Sequence, residues 1–108
     1  MIILDIRTRK EFGQGHVCGA TLIPTPLPTG SPASLSKKER GNLIRKLKKE
    51  LKEVNKNTEI AVYCKKGIRS NIAKNTLNNL GYHNVVDLGG VETKSFWDYQ
   101  LPFCDKKH

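Results

Sequence analysis

Cys64 ends a short apolar run, Ile60, Ala61, Val62 and Tyr63, and is followed by Lys65, Lys66, Gly67, Ile68, Arg69 and Ser70. These residue types in this order suit thiol chemistry on an anionic reactant. The apolar run predicts a strand, Gly67 a tight turn, and the stretch from about Ser70 to Leu80 a helix. Backbone N–H groups at a helix start point at whatever lies in front of it, and the helix dipole favours negative charge there. A cysteine held in such a nest has its pKa lowered, and the thiolate that forms is a nucleophile. A cysteine at a strand end also packs as a small hydrophobe, so a buried structural Cys64 is the competing reading.

The loop needs elements to hold it. Ile2, Ile3, Leu4, Asp5 and Ile6 form a nearly continuous apolar run, the pattern of a strand buried on both faces in a parallel sheet. Thr8 with Glu11 three residues later is a capping box that starts a short helix, with Phe12 on its inner side and Gly13 and Gly15 ending it. Ala20–Ile23 predicts a second strand, stopped by Pro24. Residues 24–36 carry Pro24, Pro26, Pro28, Gly30 and Pro32 and read as a turn-rich loop rather than a linker. Ser36 and Glu39 form a second capping box, and Leu43, Leu47 and Leu51, joined by Ile44 and Val54, make one apolar stripe. Ile72, Ala73, Thr76, Leu77 and Leu80 face inward on the helix after Cys64, with Gly81 as its stop. Val85, Val86 and Leu88 predict a last strand. Phe96, Trp97 and Tyr99 are expected to pack a final helix on the core. Strands alternating with helices imply an α/β fold with a mostly parallel central sheet flanked by helices on both faces. Ligands of such sheets bind beyond the carboxyl ends of the strands, where Cys64 lies.

A chain of 108 residues, 37% hydrophobic and 27% charged, suits one soluble domain. It has no apolar run of transmembrane length and no signal-peptide pattern, so no membrane association and a cytoplasmic location are expected. Three cysteines, Cys18, Cys64 and Cys104, without a Cys-x-x-Cys pair suggest neither a disulfide framework nor a metal site, and a reducing compartment. Residues 104–108 read as a flexible tail carrying Cys104. The net charge is +9, and residues 37–56 hold nine cations against three glutamates. That helix is expected to turn a solvated basic back to water, with docking of an acidic protein as the alternative. No nucleic-acid motif or stacking pattern accompanies the charge, so nucleic-acid binding is not expected.

The chain resembles the rhodanese-like sulfurtransferase family over nearly its whole length. Ile3-Leu4-Asp5-Ile6-Arg7 is similar to the family's hydrophobic–Asp–Val–Arg strand. Glu11-Phe12, Gly15-His16-Val17, Gly19-Ala20 and Ile23-Pro24 match its next signature in order. Tyr63–Ser70 is similar to the catalytic loop, and Val85-Val86-Asp87-Leu88-Gly89-Gly90 to the strand and turn that follow. The resemblance implies one rhodanese-like domain over residues 1–108. It also implies an N-terminally shortened sheet, either of four parallel strands or with a partly exposed edge.

By the same resemblance Cys64 takes sulfane sulfur as a persulfide and hands it to a thiol or cyanide acceptor, with no cofactor. The nest that favours a thiolate favours a persulfide anion equally. Arg69 and Lys65 or Lys66 are then expected to attract a thiosulfate-like donor and stabilise departing sulfite. Gly67 lets the amides face inward. Ser70 is expected to cap the next helix, with donation to bound sulfur as the alternative, and Ile68 completes the loop. Asp5 and Arg7 carry over as structural support. Cys18 stands where relatives often have proline and reads as an incidental buried cysteine or a resolving thiol. Two other functions share the fold: a non-catalytic interaction module, which usually lacks the cysteine, and a cysteine phosphatase, which places five residues between cysteine and arginine. Here four residues, Lys65 to Ile68, lie between them.

Overall fold

The computed structural model describes residues 1–105. Four strands form one parallel sheet: β1 (Ile2–Asp5), β3 (Thr21–Leu22), β4 (Ile60–Cys64) and β5 (Val85–Gly90), in the order β3-β1-β4-β5. β1 and β4 run in register from Ile2 opposite Ile60 to Asp5 opposite Tyr63. β4 is central, and all five of its residues are buried. That burial explains why its sequence is continuously apolar instead of alternating.

The strand alternation splits β4 between two cores. Ile60, Val62 and Cys64 face a core built with Leu43, Leu47, Leu51, Ala73 and Leu77. These come from the turn after α2 (Lys37–Glu50), which contributes Leu51, from α2 itself, and from α3 (Ile68–Asn79). Each fully buried leucine stabilises by about 1.5–3 kcal/mol. Ala61 and Tyr63 face a smaller core with Val17, Leu88 and Phe96. Helices cover this second face only in part, through the short α4 (Lys94–Trp97). The rest is a two-stranded antiparallel ribbon of β2 (Gly15–Val17) and β6 (Phe103–Asp105).

Both capping boxes form. Thr8 and Glu11 close the start of α1 (Arg9–Gly13), and Ser36 and Glu39 that of α2. Ile44 and two aromatics depart from expectation. Ile44 lies at the exposed edge of the α2 stripe, and of the aromatic trio only Phe96 is buried, with Trp97 and Tyr99 about half exposed. Adjacent residues on a helix point to different sides, so Trp97 cannot share the inward face of Phe96, and Tyr99 lies beyond the last residue of the helix.

The ribbon overturns two expectations about the cysteines. Cys104 is not in a flexible tail, because residues 103–105 are strand β6; the remainder of the expected tail, 106–108, lies outside the described residues. Cys18 and Cys104 are joined in a disulfide, their Cα atoms 5.1 Å apart across 86 residues of sequence. β6 places Cys104 opposite His16, and the Cys18 N–H donates to the Pro102 carbonyl at 2.9 Å. The pairing is a product of tertiary structure, and sequence spacing carries no trace of it. Cys64 is thereby the one free thiol, and Cys18 is not a resolving thiol for it.

Candidate active site

Cys64 ends β4 at the carboxyl edge of the sheet. Between Val62, opposite Asp87, and Cys64, opposite Gly90, the β4–β5 register slips by one residue. The backbone after Cys64 then leaves the sheet but stays tied to the turn after β5. Val91 donates to the Cys64 carbonyl and Glu92 to the Lys65 carbonyl, each at 2.9 Å. Gly90 is needed for this approach, since a Cβ there would collide with the Lys65 carbonyl and the Lys66 nitrogen.

Gly67 has a φ of 99° and is the N-cap of α3, so the helix starts at Ile68, two residues earlier than the sequence suggests. A left-handed residue is what allows the chain to turn from strand to helix in three residues. The turn aims backbone donors at the sulfur: the Gly67 N–H lies 3.1 Å and the Ser70 N–H 3.2 Å from Cys64 Sγ. Ser70 therefore does not cap the helix. It sits in the first turn, its N–H free of an intrahelical partner. Its hydroxyl stands 3.4 Å from Sγ and 3.2 Å from the Gly67 carbonyl. The thiol donates to the Ser70 oxygen, whose own hydrogen goes to the Gly67 carbonyl, so two backbone N–H donors on one buried sulfur form the nest for an anion, whether thiolate or a sulfur bearing a second sulfur.

The three loop cations are not equivalent. Arg69 was expected to meet the donor, but its guanidinium is buried and committed elsewhere. It donates to both Glu11 oxygens, at 2.9 and 3.1 Å, and to the Thr25 carbonyl at 3.2 Å. Burial pushes the Glu11 carboxyl up, but the Arg69 hydrogen bond, the Thr8 N–H and the Arg69 charge outweigh it and hold the group at about 2, against an ordinary 4.5. Lys65 reaches Glu92 at 3.7 Å on the surface. Lys66 is exposed and, among the described residues, has no ion-pair partner. Glu11 reads in the sequence as a capping-box residue and as part of the family signature, and nothing local signals its second partner 58 residues away.

Asp5 and Arg7 are gathered with Tyr63 on the side of the sheet opposite Cys64. Arg7 makes two hydrogen bonds to Asp5, at 2.9 and 2.7 Å, and one to the Gly15 carbonyl at 2.7 Å. Tyr63, next to Cys64, donates its hydroxyl to Asp5 at 2.6 Å and accepts the Val17 N–H at 3.0 Å. Burial, then the Asp5 hydrogen bond and charge, push the Tyr63 phenol up, so it stays a neutral donor. Burial alone would lower the Arg7 pKa, but Asp5 raises it. This closed network joins β1, β4 and β2 and touches no open space, which suits a supporting role.

A cleft of about 310 Å³ opens over Cys64. Cys64, Lys65, Lys66, Ile68 and Arg69 form one side, and Leu27, Pro28 and Ala33 of the proline-rich loop form the other. That apolar wall is absent from the site as read from sequence. Its signal is an aliphatic residue, Leu27, set among prolines and left 55% exposed. α2 holds the loop in place: Lys46 donates to the Pro24 carbonyl, and Arg40 to the Leu35 carbonyl and Ser34 hydroxyl.

Known proteins are similar to this chain in sequence and fold. The thiosulfate sulfurtransferase PspE of Escherichia coli (strain K12) is 28% identical over 91 residues, covering 82% of this chain and 69% of PspE. YrkF of Bacillus subtilis (strain 168) is 27% identical over 86 residues; these are 80% of this chain but only 36% of YrkF, so the chain spans about a third of that relative. A solved structure described as a rhodanese with anions from E. coli superimposes with a TM-score of 0.66 at 27% identity, covering 96% of both chains. A family model described as Rhodanese-like domain matches residues 1–93. With the parallel sheet, the cysteine at the end of its central strand and this match over most of its length, the chain belongs to the rhodanese-like family.

Proposed function

We propose that this chain is a sulfurtransferase that carries sulfane sulfur as a persulfide on Cys64. The observation that carries the reading is the pair of backbone donors, Gly67 N–H at 3.1 Å and Ser70 N–H at 3.2 Å, converging on one free, buried thiol. A structural cysteine requires no such nest, and a nucleophilic one does. The Cys64 thiolate attacks the outer sulfur of a thiosulfate-like donor. The donor's S–S bond breaks, and sulfite leaves with the electron pair. The persulfide anion then occupies the nest that held the thiolate, and a thiol or cyanide acceptor removes the outer sulfur, returning the pair to Cys64. Lys66 is the cation at hand for the donor, because Arg69 is neutralised by Glu11.

The same ion pair argues against a phosphatase, which needs its arginine on the phosphoryl group. The intact nest argues against a non-catalytic module. An acidic protein partner on α2 stays compatible with its charge. The Cys18–Cys104 disulfide favours an oxidising compartment over the cytoplasm expected from sequence. No helix among the described residues is long and apolar enough to cross a membrane.

The test is intact-mass analysis after incubation with thiosulfate. One added sulfur, lost in Cys64→Ser and removed by cyanide, is the expected result. An unmodified mass, or a sulfur retained in Cys64→Ser, overturns the assignment.

A further inference from the structure

Thiosulfate and cyanide explain only part of the cleft. At about 310 Å³ it holds the equivalent of about ten waters, and it stands at the lower end of the range of clefts that bind small organic molecules. Sulfite and cyanide are compact hydrophilic anions with nothing to place against Leu27, Pro28 and Ala33. Leu27 is more than half exposed and lines the cleft that contains Cys64. On the opposite rim only Lys66 carries a charge without an acidic partner among the described residues. Cys64 itself is 1% exposed, so a reactant must bring its sulfur down to the nest while the rest of it remains in the cleft.

We propose that the acceptor is a small organic thiol with a carbon chain and a single carboxylate, the chain lying on the Leu27 wall and the carboxylate pairing with Lys66. The proposal rests on the sulfurtransferase reading above and names the acceptor class of that site. The acceptor enters as its thiolate, its proton given to solvent, and attacks the outer sulfur of the Cys64 persulfide. A new S–S bond forms to the acceptor as the bond to Cys64 breaks. The electron pair returns to Cys64 as thiolate, and the acceptor leaves as a persulfide anion. Charge balances, and no external oxidant or reductant enters. One unpaired cation selects a monoanion, and the apolar wall rewards chain length by removing methylenes from water.

The test follows acceptor kcat/KM on Cys64 persulfide protein for mercaptoacetate, mercaptopropionate and mercaptobutyrate, each with its thiol on the terminal carbon. Neutral mercapto-alcohols of the same lengths and cyanide serve as references. The expected result is a rise of about two- to fourfold per methylene. The acids should exceed the alcohols by about fivefold, and added salt should shrink that preference. Leu27→Ser should flatten the length series, and Lys66→Gln should remove the acid preference. Both readouts are ratios within one protein, so a general loss of activity in a variant cancels. A flat series in the unmodified chain, with cyanide still turned over, overturns the proposal and leaves the sulfurtransferase reading standing. A cysteine-containing peptide that outruns every mercapto acid overturns it in favour of a protein acceptor. Failure of thiosulfate to load Cys64 at all overturns the parent reading.

Discussion

Replacing Glu11 by glutamine should cost the fold about 3 kcal/mol at neutral pH and almost nothing in acid. The Arg69 side chain is 3% exposed and the Glu11 side chain 16%, and they share two hydrogen bonds. A carboxyl that titrates at its ordinary 4.5 in the unfolded chain and at about 2 in the folded one contributes about 3 kcal/mol once both forms are ionised. Removing one partner of a buried pair gives a similar figure, about 3–5 kcal/mol, because the remaining charge is left uncompensated. Glutamine keeps the size and one acceptor oxygen, but its amide N–H groups face the guanidinium, which has none but donors to offer.

The pH dependence follows from the sign. The folded-state pKa is depressed, so the stabilisation is complete above 4.5 and is lost as the pH falls from there towards 2. The variant has no such carboxyl to titrate. Urea unfolding of both proteins across that range should show a gap of about 3 kcal/mol at neutral pH that closes steadily in acid. A gap that is constant with pH, or below about 1 kcal/mol at neutrality, would refute the claim that Arg69 is held by charge. It would also restore Arg69 as a candidate for the donor's anion.

Cys104→Ser should lower the unfolding free energy by up to about 4.5 kcal/mol, the loop-entropy value for a closure of 86 residues; equal urea midpoints for the variant and the unreduced protein would show that the clamp adds nothing. Gly90→Ala should push the Lys65 carbonyl aside and cut the rate of persulfide formation by about tenfold, a loss of about 1.4 kcal/mol in the transition state, measured by timed intact mass; an unchanged rate means the loop does not depend on that approach. Lys66→Ala should raise the thiosulfate KM by about fivefold and flatten its salt dependence, with the parallel Lys65→Ala affected less because Glu92 already shares that charge.

Local physics made much of this protein legible in its sequence. Both capping boxes, the buried central strand and the strand–cysteine–turn–helix order are set by neighbouring residues, and each formed where hydrophobic period and side-chain hydrogen bonding placed it. The helix start after Cys64 was displaced because Ser70 looks like a cap by type, whereas the left-handed Gly67 takes that position by conformation. Other features depend on residues far apart in the chain. Glu11 and Arg69, 58 residues apart, cancel each other's charge. Leu27 comes to line the cleft with Cys64 because α2 pins the proline-rich loop that carries it. Cys18 finds Cys104 through a ribbon of two three-residue strands, too short to announce themselves by periodicity. Residue type and spacing therefore determine which chemistry Cys64 can perform. Which cation is left to meet the reactant, and what surface lies beside it, is decided by long-range packing, which brings distant charges and side chains within contact distance.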